Sequence, residues 1–287
     1  MIRSALFVPA DSERKLARAP EAGADVLLLD LEDSVGLDRK PAARALAAAW
    51  LATPGRAAAY VRVNAFDTGL TFTDLAAVIA GRPEGIMLPK CAGPEDVRRL
   101  DAALSALEAR EGIAAGATKI LPIATETPAA LFTLGAYAGA SARLSALTWG
   151  GEDLASAVGA RGNKHADGKG GGGFDDLFRI ARALCLAGAS AAGVPALDSV
   201  YPDFRDEAGF GLECAEARRM GFGGKCAIHP GQVAAINAAF TPSAEEVAHA
   251  QAIIAAFAEN PGAGVISLGG KMVDKPHLVA ARRLLGL

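Results

Sequence analysis

The chain has 287 residues, of which 51% are hydrophobic and 21% charged, a balance that buries a large core and excludes extended disorder. Its net charge of −3 offers no sequence-wide positive field for a nucleic acid or an anionic membrane. Four scattered cysteines with no CxxC pair, no secretory signal and no uninterrupted apolar span predict a reduced, cytoplasmic, non-membrane protein.

In chain order, short β-rich runs fall at 5–8, 26–29, 59–63, 85–88, 120–123, 144–148, 196–200 and 225–228. Between them lie stretches with apolar and charged positions at helical spacing, including 40–51, 94–110 and 207–220. Repeated strand-helix units imply a parallel sheet, and eight of them predict an α/β fold closed into a TIM (β/α)₈ barrel, which needs about 250 residues. Further helices are predicted at 230–239 and 243–258, with Pro242 marking the break between them. The predicted division is a barrel over 1–240 and a C-terminal helical extension over 241–287, docked on a neighbouring subunit. That tail holds a short apolar run, a Gly269-Gly270 turn, Asp274 and a helical end from Pro276. A glycine-rich segment, 168–173, with Asn163, Lys164, His165 and Asp167 beside it, reads as a loop or a lid, and it lacks the pattern of a P-loop.

Polar residues gather just past the expected C-terminal ends of the strands, where barrel enzymes place their chemistry. Strand two leads into Asp30-Leu31-Glu32-Asp33, strand three ends in Arg62-Val63-Asn64, and strand four in Pro89-Lys90. Strand five delivers Glu126, strand six Glu152-Asp153, and strand eight His229-Pro230. Any one acid here could simply start a helix. Two carboxylates from adjacent strands can also converge on one hard cation, and Glu126 with Asp153 fits Mg²⁺, which takes one or two carboxylates and fills its octahedron with water and substrate. Arg62 suits either a substrate carboxylate or enolate, or a salt bridge to Asp30, Glu32 or Asp33. Lys90 suits either a Schiff base or a charge partner for the acidic cluster. His229 fits a packed corner as well as a base, and the other histidines lack zinc-ligand spacing.

The ordered motifs Leu6-Phe7-Val8-Pro9, Asp30-Leu31-Glu32-Asp33 with Lys40 and Arg44, Arg62-Val63-Asn64 and Leu88-Pro89-Lys90 continue in Glu126-Thr127-Pro128 and Gly150-Gly151-Glu152-Asp153-Leu154. They end in Ile228-His229-Pro230 and Gly269-Gly270-Lys271-Met272-Val273-Asp274. Over nearly the whole chain this series resembles the citrate lyase β-subunit-like and malyl-CoA lyase group of the HpcH/HpaI aldolase superfamily. The resemblance implies a homotrimer or hexamer with Mg²⁺ at Glu126 and Asp153, and Arg62 binding substrate and stabilising an enolate. It also implies that Asp274 reaches a neighbouring subunit's site as acid/base, with Asp30, Glu32 and Lys90 lining the substrate site. Arg14 and Lys15 become candidates for the phosphates of CoA. The expected reaction is cleavage or formation of a 3-hydroxy-acyl thioester, carried on CoA or an acyl-carrier protein, such as malyl-CoA, citramalyl-CoA or a citryl thioester. The glycine-rich stretch after Asp153 departs from the family's usual pattern and leaves the acid side chain of the substrate open. Two rivals stand beside this reading: a Schiff-base or metal-dependent aldolase on free oxo-acids, and a non-catalytic binding barrel.

Overall fold

A computed structural model of the protein describes residues 2–165 and 173–287, so positions 168–172 of the glycine-rich segment lie outside the described residues. Two compact units are present, Met1–Phe240 and Thr241–Leu287.

The first unit carries eight parallel strands: β1 (Ser4–Pro9), β2 (Val26–Asp30), β3 (Ala59–Arg62), β4 (Gly85–Leu88), β5 (Lys119–Pro122), β6 (Leu147–Thr148), β7 (Ala196–Asp198) and β8 (Gly224–Ala227). The helices are α1 (Glu13–Arg18), α2 (Lys40–Leu51), α3 (Thr71–Val78), α4 (Pro94–Glu111), α5 (Gly151–Val158), α6 (Asp176–Ala191), α7 (Glu207–Met220) and α8 (Val233–Phe240). The strand order is β5-β4-β3-β2-β1-β8-β7-β6. Isolated parallel bridges, Ile120 to Leu144 and Ile123 to Thr148, join the two ends and close the barrel.

Strand β2 shows why the sequence closes this way. All five of its residues are buried, as expected of a strand covered on both faces. Val26 and Leu28 point into the barrel, packing with Ala5, Met87, Leu121 and Cys226. Leu27 and Leu29 point outward to the helix layer, with Ala43, Ala47, Val97 and Leu100. The predicted strand at 144–148 shortens to β6, with Leu144 joined to β5 only by an isolated bridge, while the Arg143 side chain enters an ion-pair cluster. Its guanidinium forks onto Glu108 at 2.7 Å through both Nη atoms, and its Nε meets Asp101 at 2.6 Å.

The second unit holds α9 (Ala244–Glu259), an antiparallel hairpin of β9 (Val265–Leu268) and β10 (Lys271–Asp274), and α10 (Lys275–Leu284). Ser243 and Glu246 form a reciprocal capping box that starts α9. Gly269 and Gly270, at φ 56° and 75°, make the hairpin turn, a conformation that residues with a Cβ rarely adopt. Ala250, Ile253, Phe257, Val273 and Ala281 form the unit's own small core. The tail therefore contains a hairpin as well as the expected helix.

Candidate active site

The site grows from the turn after β2. The Asp30 carboxylate accepts the backbone N–H groups of Glu32 at 2.9 Å and Ser34 at 3.2 Å, folding the chain back on itself. Buried Lys40 fixes the same turn by donating to the carbonyls of Leu31 and Glu32, both at 2.8 Å. Strand register then sets Arg62 of β3 opposite Asp30. The guanidinium engages Asp30 in a two-pronged way, Nε to Oδ1 at 2.7 Å and Nη2 to Oδ2 at 2.6 Å, and lies 4.7 Å from the ring centre of Phe7. Its Nη1 is 3.1 Å from Glu32 Oε2, close enough for charge attraction but without hydrogen-bond geometry. Burial opposes the Arg62 charge, yet the Asp30 hydrogen bonds and the Asp30, Glu32 and Glu126 charges raise its pKa above the ordinary value.

Lys90 follows β4 in the left-handed region at φ 49°, an uncommon conformation for a residue with a side chain. That twist aims its backbone N–H at Glu126 Oε2, 2.5 Å away, while its ammonium contacts Glu32 at 2.5 Å and Asp33 and Asp153 at 3.4 Å. Burial alone would lower the ammonium pKa, but the hydrogen bond and charge of Glu32, with Glu126 and Asp153, raise it. A Schiff base requires a neutral amine, so this environment disfavours that role.

Glu126 and Asp153 flank the β5/β6 closure of the barrel. Glu126 is 3% exposed, and burial, reinforced by the Asp153 and Glu32 charges, pushes its carboxyl up to about 8 despite the Lys90 N–H. Asp153 sits in the first turn of α5 and is one-third exposed. Gly150 makes the approach possible, because a Cβ there would lie 2.7 Å from Glu126 Cγ. Both acids line a cavity of ≈ 300 Å³ at the C-terminal mouth of the barrel, together with Asp30, Arg62 and Glu152. A divalent cation fits these donors: the burial of Glu126 is only partly compensated by the Lys90 N–H, Asp153 adds a second hard oxygen donor, and the mouth is open to water. Among the described residues no group of three or more His, Cys, Asp or Glu could hold a metal, so an ion at Glu126 and Asp153 would have to take its remaining ligands from water and substrate.

Of the residues expected at the site, Asp30, Glu32, Arg62, Lys90, Glu126 and Asp153 come together. Arg14 and Lys15 line an adjoining groove of ≈ 770 Å³ with Arg18 and His229, which shares Phe7, Pro9 and Ile228 with the cavity. His229 is exposed at the start of the turn after β8, where its Nδ1 accepts the Gly231 N–H at 3.1 Å and its ring stacks on Phe204. Asp274 belongs to the second unit, where it caps α10 and meets His277 Nδ1 at 2.5 Å, a contact that lowers its carboxyl pKa. Sequence reasoning missed the support behind the cavity wall. The Trp149 indole donates to Asp198 at 2.7 Å, and buried Asp198 is in turn held by Arg182 and Lys225. The only signal for it was a charge inside each of two apolar strand runs.

The family model described as HpcH/HpaI aldolase/citrate lyase matches residues 3–230. A (3S)-malyl-CoA thioesterase of Cereibacter sphaeroides is 36% identical over 99% of this chain and 93% of its own length. The mitochondrial citramalyl-CoA lyase of Mus musculus is 34% identical over 99% of this chain and 85% of its own. Among solved structures, Mycobacterium tuberculosis CitE in complex with magnesium, acetoacetate and coenzyme A superposes with a TM-score of 0.78 at 33% identity, covering 99% of this chain and 97% of that one.

Proposed function

Because the chain belongs to the HpcH/HpaI aldolase/citrate lyase family, we propose that it is a Mg²⁺-dependent carbon-carbon lyase. Its substrate would be a 3-hydroxy-acyl thioester of the malyl, citramalyl or citryl type, which it cleaves to, or forms from, an acetyl thioester and an oxo-acid. The observation that carries this reading is the buried Glu126 carboxyl, raised to about 8, beside Asp153 and facing Arg62 across one cavity.

Glu126 and Asp153 would hold the ion, with the Lys90 backbone N–H fixing the rotamer of Glu126. Mg²⁺, when bound, lowers the pKa of a substrate hydroxyl and polarises a carbonyl. Arg62 has five N–H groups, and Asp30 engages two of them, so the guanidinium is locked in orientation with donors left for the thioester enolate. Such preorganised stabilisation supplies roughly 3 kcal/mol of barrier lowering. Asp274, offered by a neighbouring subunit of a trimer or hexamer, would protonate the enolate carbon, or remove the acetyl proton in the reverse direction. The basic groove at Arg14 and Lys15 would take the phosphates of a CoA carrier.

The test is a panel of malyl-, citramalyl- and citryl-CoA incubated with and without a chelator. Release of acetyl-CoA with the matching oxo-acid, abolished by chelation, is expected. Release of the free hydroxy acid and CoA alone would indicate thioester hydrolysis instead, and no turnover by folded, Mg²⁺-binding protein would overturn the proposal.

A further inference from the structure

The backbone that carries Asp153 enters α5 through a gap with no room for a side chain. A Cβ at Gly151 would lie 3.0 Å from Trp149 Cζ3 and 3.0 Å from Asn163 Nδ2, so the first turn of α5 is gripped between an indole ring and an amide. Neither jaw is loose. The buried Trp149 indole donates to Asp198 Oδ1 at 2.7 Å, and its ring meets Phe174 edge-on at 5.0 Å. The Asn163 amide donates to Glu152 Oε1 at 2.7 Å, and its backbone carbonyl accepts the Asp175 N–H at 3.0 Å. The two jaws are joined between the strands and helices α6 and α7. Lys164, next to Asn163, pairs with Glu213 at 2.5 Å and lies 4.2 Å from the ring centre of Tyr201. Lys225 of β8 donates to Glu213 Oε1 and to Asp198 Oδ2 of β7, both at 2.8 Å. A circuit therefore runs from Trp149 through Asp198, Lys225, Glu213 and Lys164 to Asn163, and closes across Gly151.

Asp198 and Lys225 are 0% exposed, and stability alone does not account for burying them, since well-packed apolar residues of similar volume often serve as well. What apolar packing lacks is direction. An acceptor at a fixed place sets the rotation of the indole, because a hydrogen bond weakens steeply off its axis. Arg182 forks onto the same carboxylate at 3.0 and 3.1 Å, which fixes the acceptor itself. Burial opposes the Asp198 charge, but Lys225 and Arg182 hold its carboxyl at about 2, so it remains an acceptor throughout the neutral range. Resting on the Mg²⁺ site read above at Glu126 and Asp153, we infer that Trp149 and Asn163 are positioning residues that hold Asp153 in place as a metal ligand, with Asp198 and Lys164 setting the two jaws. A ligand free to wander binds its ion more weakly, because binding must then order it.

The experiment is Mg²⁺ titration calorimetry on the full-length protein, with urea midpoints measured alongside. Trp149→Phe keeps a ring but loses the donor, and Lys164→Met keeps the stem but loses the charge. Mg²⁺ affinity is expected to fall about tenfold in the first and at least about threefold in the second, with Lys164→Arg restoring it. Arg3→Ala, which breaks the 2.7 Å pair with Asp25 at the opposite end of the barrel, is expected to lower the midpoint and leave Mg²⁺ affinity within about twofold. If Trp149→Phe does not fold, the contrast between Lys164→Met and Lys164→Arg decides, since the Lys164 side chain is partly exposed. Unchanged Mg²⁺ affinity in the folded variants, or a loss of equal size in Arg3→Ala, overturns this inference alone. Failure of the unaltered protein to bind Mg²⁺ overturns it together with the metal reading beneath it.

Discussion

Glu126 combines two properties that ordinary stability would select against: it is buried, and its nearby charges include the acids Asp153 and Glu32. A carboxyl with a pKa near 8 is protonated over most of the neutral range, so an entering Mg²⁺ must displace a proton. Affinity should therefore rise about tenfold per pH unit up to about 8 and level off above it. Calorimetry in buffers of different ionisation enthalpy should show close to one proton released at pH 6.5; release of none would sink the idea. The sign for stability is opposite. The folded pKa exceeds the unfolded value of 4.5, so the metal-free protein binds more protons folded than unfolded between those values and loses stability as pH rises towards 8. Arg62 gives a second test at this scale. Arg62→Lys keeps a charge but removes the fork onto Asp30, and kcat should fall by about 10²-fold or more with Mg²⁺ affinity within a few-fold of the unaltered protein. An unchanged kcat would remove Arg62 from the chemistry. Much of this site was legible because barrel strands deliver their end residues to one mouth, which brought Glu126, Asp153, Arg62 and Lys90 forward along with Asp30, Glu32, Glu152 and His229, and the motif resemblance narrowed them. The part Lys90 plays through its backbone was not legible, since a positive φ leaves no mark in a side-chain sequence.

At the level of elements, the weakest join in the barrel lies between β5 and β6, the two strands that lead to Glu126 and Asp153. Arg143 secures it from outside: its side chain is 5% exposed, and it ties the segment before β6 to Glu108 and Asp101 on α4. Arg143→Ala would strand the buried Glu108 carboxylate and should cost roughly 3–5 kcal/mol, read as a lower midpoint in urea denaturation. A loss below about 1 kcal/mol would show the cluster to be an ordinary surface pair. Burial would raise the Glu108 carboxyl, but Arg143 and the N–H groups of Thr118 and Gly116 hold it at about 2. Its stabilising contribution is thus complete above the ordinary 4.5 and fades as pH falls through about 2. Strands such as β4, and helices such as α2 and α7, were readable to the residue because apolar runs and helical spacing agreed with tertiary burial. The β9/β10 hairpin was not, because only four residues lie on each side of its turn and Val265, Met272 and Lys271 are exposed, which blurs any alternation. The buried ion network of Asp198, Lys225 and Arg182 was hidden for the reverse reason: hydropathy reads charge as surface, and these charges are buried as a satisfied set.

The second unit has its own core and holds Asp274 at the N-cap of α10, and the role proposed for it calls for a neighbouring subunit. Asp274→Asn should abolish turnover while leaving Mg²⁺ binding intact. If Asp274 serves a neighbouring subunit, refolding a mixture of Asp274→Asn and Glu126→Gln chains should recover a fraction of the activity that neither has alone. No recovery from assembled mixtures would confine the residue to its own subunit or remove it from catalysis. Among the described residues no helix is long and apolar enough to cross a membrane, and all four cysteines are buried and unpaired, in keeping with the composition. Length and strand count made the barrel readable. The use of the tail was suggested only by motif resemblance, because nothing in local sequence physics says which surface an appended hairpin and helix pair will cover.

One divalent cation between the carboxylates of Glu126 and Asp153 should be detected by Mg²⁺ titration calorimetry on the unaltered protein, Glu126→Gln and Asp153→Asn at pH 8. A single Mg²⁺ site per chain is expected, lost in Glu126→Gln and weakened at least about tenfold in Asp153→Asn, with circular dichroism and melting showing both variants folded. Mg²⁺ binding of unchanged affinity in folded Glu126→Gln would contradict it.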